Sequence, residues 1–378
     1  MLNLRNSLIL GAMALSGILQ AQDPKRHLEF TISGVVKDTV YLANYYGNKL
    51  YYSDTAVADA KGHCVFQRAK GYKAGVYAVV VPGPKYFEIL VNETEVVMET
   101  DTADLLGHLK VKRSPENHIF LDYVRFLNTK KKDGEAVKAR MDATMDPIAK
   151  ARDKEQLVAL DKEIKDYMHA TVAKAPTTYA ASLIRMSIEP DQVEIMGADG
   201  KVDSTATYYH YRQHYWDNTD LTDERILRAP VFQNKFDEYI GKVVPQIPDT
   251  INKLADDLIG RMSSTPELFK FAVHNVTYKY ETSEIMGMDA VFVHMAQTYY
   301  CPKGNEPSKA TWMSKEKLDK LCERARKQAP LVIGAKARNI ILTDTTEQRW
   351  IDTYKMPSEY VLIVFWDRHC GHCKKTLP

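Results

Sequence analysis

From residue 27 to about residue 101, apolar and polar side chains alternate with the period of two that a half-buried strand requires. Leu28, Phe30 and Ile32 set the pattern, and Val40 and Leu42 repeat it. It returns in Val76-Tyr77-Ala78-Val79-Val80-Val81, in Phe87-Glu88-Ile89-Leu90-Val91 and in Val96-Val97-Met98. Gly34, Gly47-Asn48, Lys61-Gly62, Pro82-Gly83-Pro84 and Asn92 punctuate these runs as turns. The pattern predicts a small antiparallel β domain over residues 27–101, a sandwich or a barrel.

At Ser114-Pro115-Glu116 the period lengthens, because Ser as N-cap with Pro at the first helical position starts a helix. Ile119, Phe120, Tyr123, Val124 and Leu127 then share one helical face. Leu157, Leu160, Ile164, Tyr167 and Met168 form another such face. Leu268, Ala272, Val276 and Tyr280 follow the cap at Thr265-Pro266, and residues 318–329 give the last helix. Residues 114–330 therefore read as a helical domain with short linkers and no clear repeat. Pro330 ends it. Residues 339–342 and 348–351, on either side of the polar Asp344-Thr345-Thr346, predict a hairpin. The six apolar residues Val361-Leu362-Ile363-Val364-Phe365-Trp366 read as a strand buried on both faces, as inside a parallel sheet.

The first residues are of another kind. Arg5 supplies a positive n-region, residues 8–19 an apolar h-region, and Leu19-Gln20-Ala21 ends in a small residue suited to signal peptidase. Residues 1–21 read as a secretory signal, with the mature chain beginning near Gln22 and working in the periplasm or cell envelope. The h-region is short for a membrane span, although an uncleaved anchor stays open. No cysteine follows it to carry a lipid, and no later stretch approaches transmembrane length.

At 378 residues the chain is long enough for two or three domains. Its 45% apolar and 26% charged residues are those of an ordinary globular protein. The formal net charge of +2 argues for no strongly charged partner, and no basic stripe supports nucleic-acid binding. Lys130-Lys131-Lys132 is interrupted by Asp133 and Glu135 and reads as a solvated loop.

Five spread cysteines do not make a disulfide scaffold. Cys322 shares a helical face with Leu318, Leu321, Ala325 and Ala329 and reads as a small buried hydrophobe. A bridge between Cys301 and Cys322 is the alternative. Cys64 falls in a strand. Cys370-Gly371-His372-Cys373 differs from these, because two thiols at the first turn of a helix after a buried strand can share thiol–disulfide exchange. Cys370 is the candidate nucleophile, Cys373 resolves the mixed disulfide, and His372 tunes the couple.

Phe365-Trp366-x-x-x-Cys370-Gly371-His372-Cys373-Lys374, with Pro378 beyond it, resembles the active-site segment of thioredoxin-like proteins. Ile333-Gly334-Ala335-Lys336-Ala337 and the hairpin behind it are similar to the opening of the exported TlpA/ResA-like and peroxiredoxin-like (AhpC/TSA-type) branch. The Gly-His dipeptide matches that of protein disulfide isomerases. Residues 27–101 resemble a small β domain of unknown function found before such domains in Bacteroidota envelope proteins. Ser114-Pro115-Glu116-Asn117 and His214-Tyr215-Trp216-Asp217-Asn218 resemble the helical module beside it. Two positions depart from the family: Val364 stands where cytoplasmic thioredoxins carry a buried acid, and Arg338 where the opening motif has proline.

The resemblance implies a multidomain α+β protein with a small antiparallel β domain and a helical middle domain. It makes residues 331–378 an incomplete, C-terminally truncated thioredoxin-like α/β segment, weakly active or inactive by itself. It implies a thiol–disulfide oxidoreductase acting on protein dithiols and disulfides, served by an unidentified redox partner and needing neither cofactor nor metal.

Three other readings compete. A CxxC can be half of a zinc site, but no second ligand pair lies nearby; a plain structural disulfide also fits the spacing. Haem attachment needs His after the second cysteine, where Lys374 stands. His210 and His214, with Asp217, lack the Glu of a zinc-protease motif and read as an aromatic packing seam among Tyr208, Tyr209, Tyr211, Tyr215 and Trp216. Tyr45, Tyr46, Tyr51 and Tyr52 read as packing of the β domain rather than a sugar- or peptide-contacting surface. The competing function is a non-enzymatic envelope binding or scaffold protein with a vestigial CxxC.

Overall fold

A computed structural model describes residues 23–83, 85–191, 193–364, 366–367 and 369–376. The signal reading over residues 1–21, and Phe365 and Pro378 of the cysteine motif, lie outside the described residues. The chain is α+β and divides into two compact units. One runs up to Gln246 and takes in Asp257–Phe269; the other comprises Ile247–Asp256 and the chain from Lys270 on.

The first unit begins with eight strands: β1 (His27–Ser33), β2 (Thr39–Tyr46), β3 (Lys49–Val57), β4 (His63–Phe66), β5 (Gly75–Val81), β6 (Lys85–Val91), β7 (Glu95–Asp101) and β8 (Lys110–Arg113). They form two four-stranded sheets, in the orders β4-β1-β7-β8 and β3-β2-β5-β6. Alternation puts Leu28, Phe30, Ile32, Val96 and Met98 on one inner face and Leu42, Val79, Phe87 and Ile89 on the other. These two faces share one core, with the Phe30 ring edge-on to Phe87 at 6.0 Å. The β domain is a sandwich, and one of its pairings departs from the antiparallel expectation. β1 and β7 run parallel, with Phe30 opposite Met98. These strands are far apart in sequence, so no hairpin constrains their direction.

The helices of this unit are α1 (Pro115–Ala143), α2 (Pro147–Lys174), α3 (Tyr179–Met186), α4 (Ser204–His214) and α5 (Pro230–Glu238). Ser114 caps α1 as its sequence predicts, accepting from the Asn117 N–H at 3.2 Å. Asn117 then does what another strand would do for the edge strand β6. Its amide accepts from the Leu90 N–H at 2.7 Å and donates to the Leu90 carbonyl at 2.8 Å. Glu116 joins the same seam. One of its oxygens accepts from Asn92, and the other from the Tyr179 and Ala180 N–H groups that open α3. The Ser114-Pro115-Glu116-Asn117 motif is thus structural, replacing backbone partners that buried groups would otherwise lack.

Lys130-Lys131-Lys132 does not form a loop. It lies within the 29-residue helix α1, where Lys130 pairs with Glu163 on α2 at 2.6 Å and Lys131 with Glu135 one turn on. The charges that suggested a loop are the solvated face of a helix whose apolar positions Tyr123, Val124 and Leu127 pack against Ile164, Tyr167 and Met168.

α6 (Pro248–Arg261) and α7 (Pro266–Glu281) follow, the latter behind the predicted Thr265-Pro266 cap. The second unit continues with α8 (Asp289–Met295), a π-helical turn over Ala296–Tyr300 and α9 (Lys315–Gln328). Phe292, Val293, Ala296 and Ala325 form its local core. The predicted hairpin is present as β9 (Ile341–Thr343) and β10 (Trp350–Asp352), with Ile351 opposite Leu342. A last helix, α10, spans Gly371–Thr376.

The expected strand over residues 361–366 does not form among the described residues. Val361, Leu362, Ile363 and Val364 belong to no sheet and are 42–89% exposed. A strand buried on both faces needs neighbours on its edges and layers above and below. The described residues after 340 supply a two-stranded hairpin, a single 3-10 turn over Thr353–Lys355 and one short α-helix, too little to cover it.

Candidate functional site

The two cysteines of the CxxC meet at the start of α10. Asp367 builds the turn: its carboxylate accepts from the His369 N–H at 2.6 Å and its carbonyl from the Cys370 N–H at 3.1 Å. The Cys370 carbonyl then accepts from the Lys374 N–H at 3.2 Å, which closes the first helical turn. Three residues of helix bring Cys373 back over Cys370, and the Cys373 N–H points at the Cys370 sulfur at 3.3 Å. Both side chains are partly accessible. Hydrogen bonds from the Cys373 thiol and from the backbone N–H groups of Cys373 and His372 pull the Cys370 thiol below its ordinary value. A lowered, reachable thiol suits exchange, since the thiolate is the form that attacks. Lys374 and Lys375 add positive charge to the same turn.

The remaining cysteines behave differently. Cys64 is buried in β4, and burial pushes its thiol up to about 12, so it is inert at neutral pH. Cys301 and Cys322 form a disulfide across 21 residues, their Cα atoms 5.6 Å apart. The alternative of a bridge thus replaces the reading of Cys322 as a lone hydrophobe. Its helical face is apolar as expected, and the partner sulfur comes from Cys301, the residue just after the π-helical turn.

His210 and His214 lie one turn apart on α4, their rings tilted by 40° with centroids 4.4 Å from each other, and His214 hydrogen-bonds Asp217 at 2.6 Å. Among the described residues no group of three or more potential ligands is placed to hold a metal ion. Tyr215 and Trp216 go into the core against Phe232 and Tyr239, whereas Tyr209 is half exposed. Tyr45, Tyr51 and Tyr52 of the β domain also divide. Tyr45 is buried with its hydroxyl on Glu88 at 2.5 Å, while Tyr51 and Tyr52 stand in solvent.

A cluster with no sequence motif lies in the second unit. Asp256 on α6 accepts from His294 at 2.8 Å and from the Tyr299 hydroxyl at 2.7 Å. Burial pushes the Asp256 carboxyl up, but these two hydrogen bonds and the Lys309 charge outweigh it and hold the carboxyl below its usual range. Residues 38 and 43 positions apart carry no local signal of their meeting. Among the described residues, no helix is long and apolar enough to cross a membrane.

Residues 200–328 match a family described as a domain of unknown function (DUF5106). No curated protein matches the chain. Among solved structures the chain is similar to a thioredoxin-like protein from Bacteroides caccae ATCC 43185, at 15% identity and a TM-score of 0.34. That match covers 50% of this chain and 66% of the other, so the chain spans just under two thirds of that structure's length. An (S)-allantoin synthase gives 10% identity and a TM-score of 0.19 over 25% of this chain and 45% of the other. Superpositions at these TM-scores leave fold and function to be read from the chain's own residues.

Proposed function

We propose that the chain is an exported thiol–disulfide exchange protein acting on protein dithiols and disulfides, with Cys370 as nucleophile and Cys373 as resolving thiol. The observation that carries this reading is the Cys373 N–H held 3.3 Å from the Cys370 sulfur at an accessible turn. The Cys370 thiolate attacks one sulfur of a client disulfide, forming a mixed disulfide and expelling a client thiolate. Cys373 gives up its proton and attacks the Cys370 sulfur, which releases the second client thiolate. The client gains two electrons and, from solvent, two protons; the chain is left with a Cys370–Cys373 disulfide. The reverse sequence oxidises a client dithiol.

Export to an oxidising compartment is part of the proposal. It is supported by the signal-like residues 1–21 and by the Cys301–Cys322 disulfide, a bond that persists outside reducing cytoplasm. N-terminal sequencing of the periplasmic fraction tests it, with Gln22 expected at the new terminus.

The exchange reading is tested by trapping. Cys373→Ser, mixed with an aromatic disulfide reagent, should accumulate one mixed disulfide at Cys370, identified by peptide mass. Cys370→Ser should lose this reactivity and all exchange with a dithiol reporter. Equal reactivity of Cys370→Ser and the parent chain would remove Cys370 from the nucleophile's role.

One observation favours a second reading, a binding or scaffold protein with a vestigial CxxC. The segment leading to the turn lies exposed at Val361, Leu362, Ile363 and Val364, with no sheet beneath it among the described residues. Under that reading both variants retain full binding to the protein's envelope partner.

A further inference from the structure

The second unit holds a groove of about 440 Å³ between α7 and α9, remote in sequence from the cysteine turn. On α7, Tyr278 and Glu281 face it; on α9, Lys317, Lys320 and Arg324 recur at one-turn spacing along the opposite wall. Tyr300, Met313 and Leu321 supply an apolar floor. Tyr300 is 1% exposed, and burial pushes its phenol up to about 12, so the floor carries no charge at neutral pH.

The rim is cationic. Lys317, Lys320 and Arg324 line it against Glu281, and counting Glu316, which pairs with Lys320, three cations meet two carboxylates for a formal balance of +1. Arg324 pairs with Glu281 and lies over the Phe292 ring, and Lys320 pairs with Glu316 at 2.7 Å. Lys317 makes no ion pair among the described residues. A concave site of this size with an apolar floor and a few convergent charges has the form of a ligand pocket.

Its floor is also locked to one wall. Tyr300 and Leu321 each adjoin one cysteine of the Cys301–Cys322 bridge, which ties the end of the π-helical turn to α9. π-Helical turns occur frequently at functional sites, and this one ends on Tyr300.

We propose that this groove binds an organic anion with an apolar body. The carboxylate sits against Lys317 and Lys320, and the body lies on Met313 and Leu321 beside Tyr278. Both the free acid of an aromatic metabolite and the C-terminal residue of a protein have this chemistry. The proposal is independent of the exchange activity at Cys370.

The test is calorimetric titration of the full chain with two probes, phenylpropionate and the peptide acetyl-Gly-Gly-Phe with a free C-terminus, each against its amide. At least one acid should bind, and its amide should bind about tenfold or more weakly, the loss expected for one charge-assisted contact. Lys317→Glu with Lys320→Glu should weaken the acid by about tenfold or more, whereas Lys315→Glu, paired with Asp319 outside the groove, should leave it unchanged. Circular dichroism confirms that these exposed-site variants stay folded. Tighter binding of the peptide identifies the source as a protein C-terminus, and tighter binding of phenylpropionate identifies a small acid. Equal affinity for acid and amide, an unaffected double variant, or no heat from either acid at roughly 10 mM overturns the proposal.

Discussion

Removing the Cys301–Cys322 bridge should destabilise the second unit by an amount set by chain entropy. The bridge closes a loop of 21 residues, and cross-linking a loop of that length takes about 3 kcal/mol of conformational entropy out of the unfolded state. The native state loses little in return. Cys322 is 7% exposed and already packed on the apolar face of α9, so Cys301→Ala with Cys322→Ala removes two sulfurs without burying a new polar group. Urea unfolding, followed by helix circular dichroism and tryptophan fluorescence, measures the change. Trp312 lies inside the loop with its ring edge-on to Tyr300 at 6.2 Å, so it reports on this region. With a urea slope of about 2 kcal/mol/M, the midpoint of the second unit's transition should fall by about 1.5 M. Reducing the parent chain with a phosphine should give the same fall. A shift below about 0.3 M in both experiments would show that the loop stays ordered without its bridge, and the entropic argument would fail.

Three further outcomes follow from the geometry. Glu116→Ala should cost the first unit about 3 kcal/mol, because the buried Tyr179 and Ala180 N–H groups lose their acceptor; Glu116→Gln keeps an acceptor and should cost about 1 kcal/mol, both read from chemical denaturation. Asp256→Asn should destabilise the second unit by about 1 kcal/mol at neutral pH, a figure already reduced for a carboxylate one-third exposed. The folded Asp256 carboxyl lies below its unfolded value, so its contribution is full above the ordinary carboxylate range and fades as pH falls through the lower, folded value. The Asn variant should therefore lose less stability than the parent on acidification, and parallel acid limbs for the two proteins would refute the assignment. At the cysteine turn, Cys370 should be alkylated by iodoacetamide with a midpoint below the ordinary thiol value, while Cys64 stays unmodified until the chain unfolds. A Cys370 profile centred at or above an ordinary thiol would remove the electrostatic basis for its role as nucleophile.

Periodicity and capping determined most of the local structure. The alternation of Leu28, Phe30 and Ile32, the Ser114-Pro115 and Thr265-Pro266 starts and the polar turn at Asp344-Thr345-Thr346 each formed the element they predict. These signals act between residues a few positions apart, so the chain states them directly. The cysteine spacing was equally legible, because three residues of helix return Cys373 to Cys370 whatever surrounds them.

Tertiary structure decided what depends on distant partners. The apolar run at residues 361–364 carries the composition of a buried strand, yet its state follows from neighbours that it cannot encode itself. Lys130-Lys131-Lys132 became helix because α2 supplied both an apolar face and Glu163. The parallel pairing of β1 with β7, the Asp256 cluster and the walls of the cationic groove join residues dozens of positions apart. Closing such separations costs loop entropy that only the packed whole offsets, which is why no local pattern announces them.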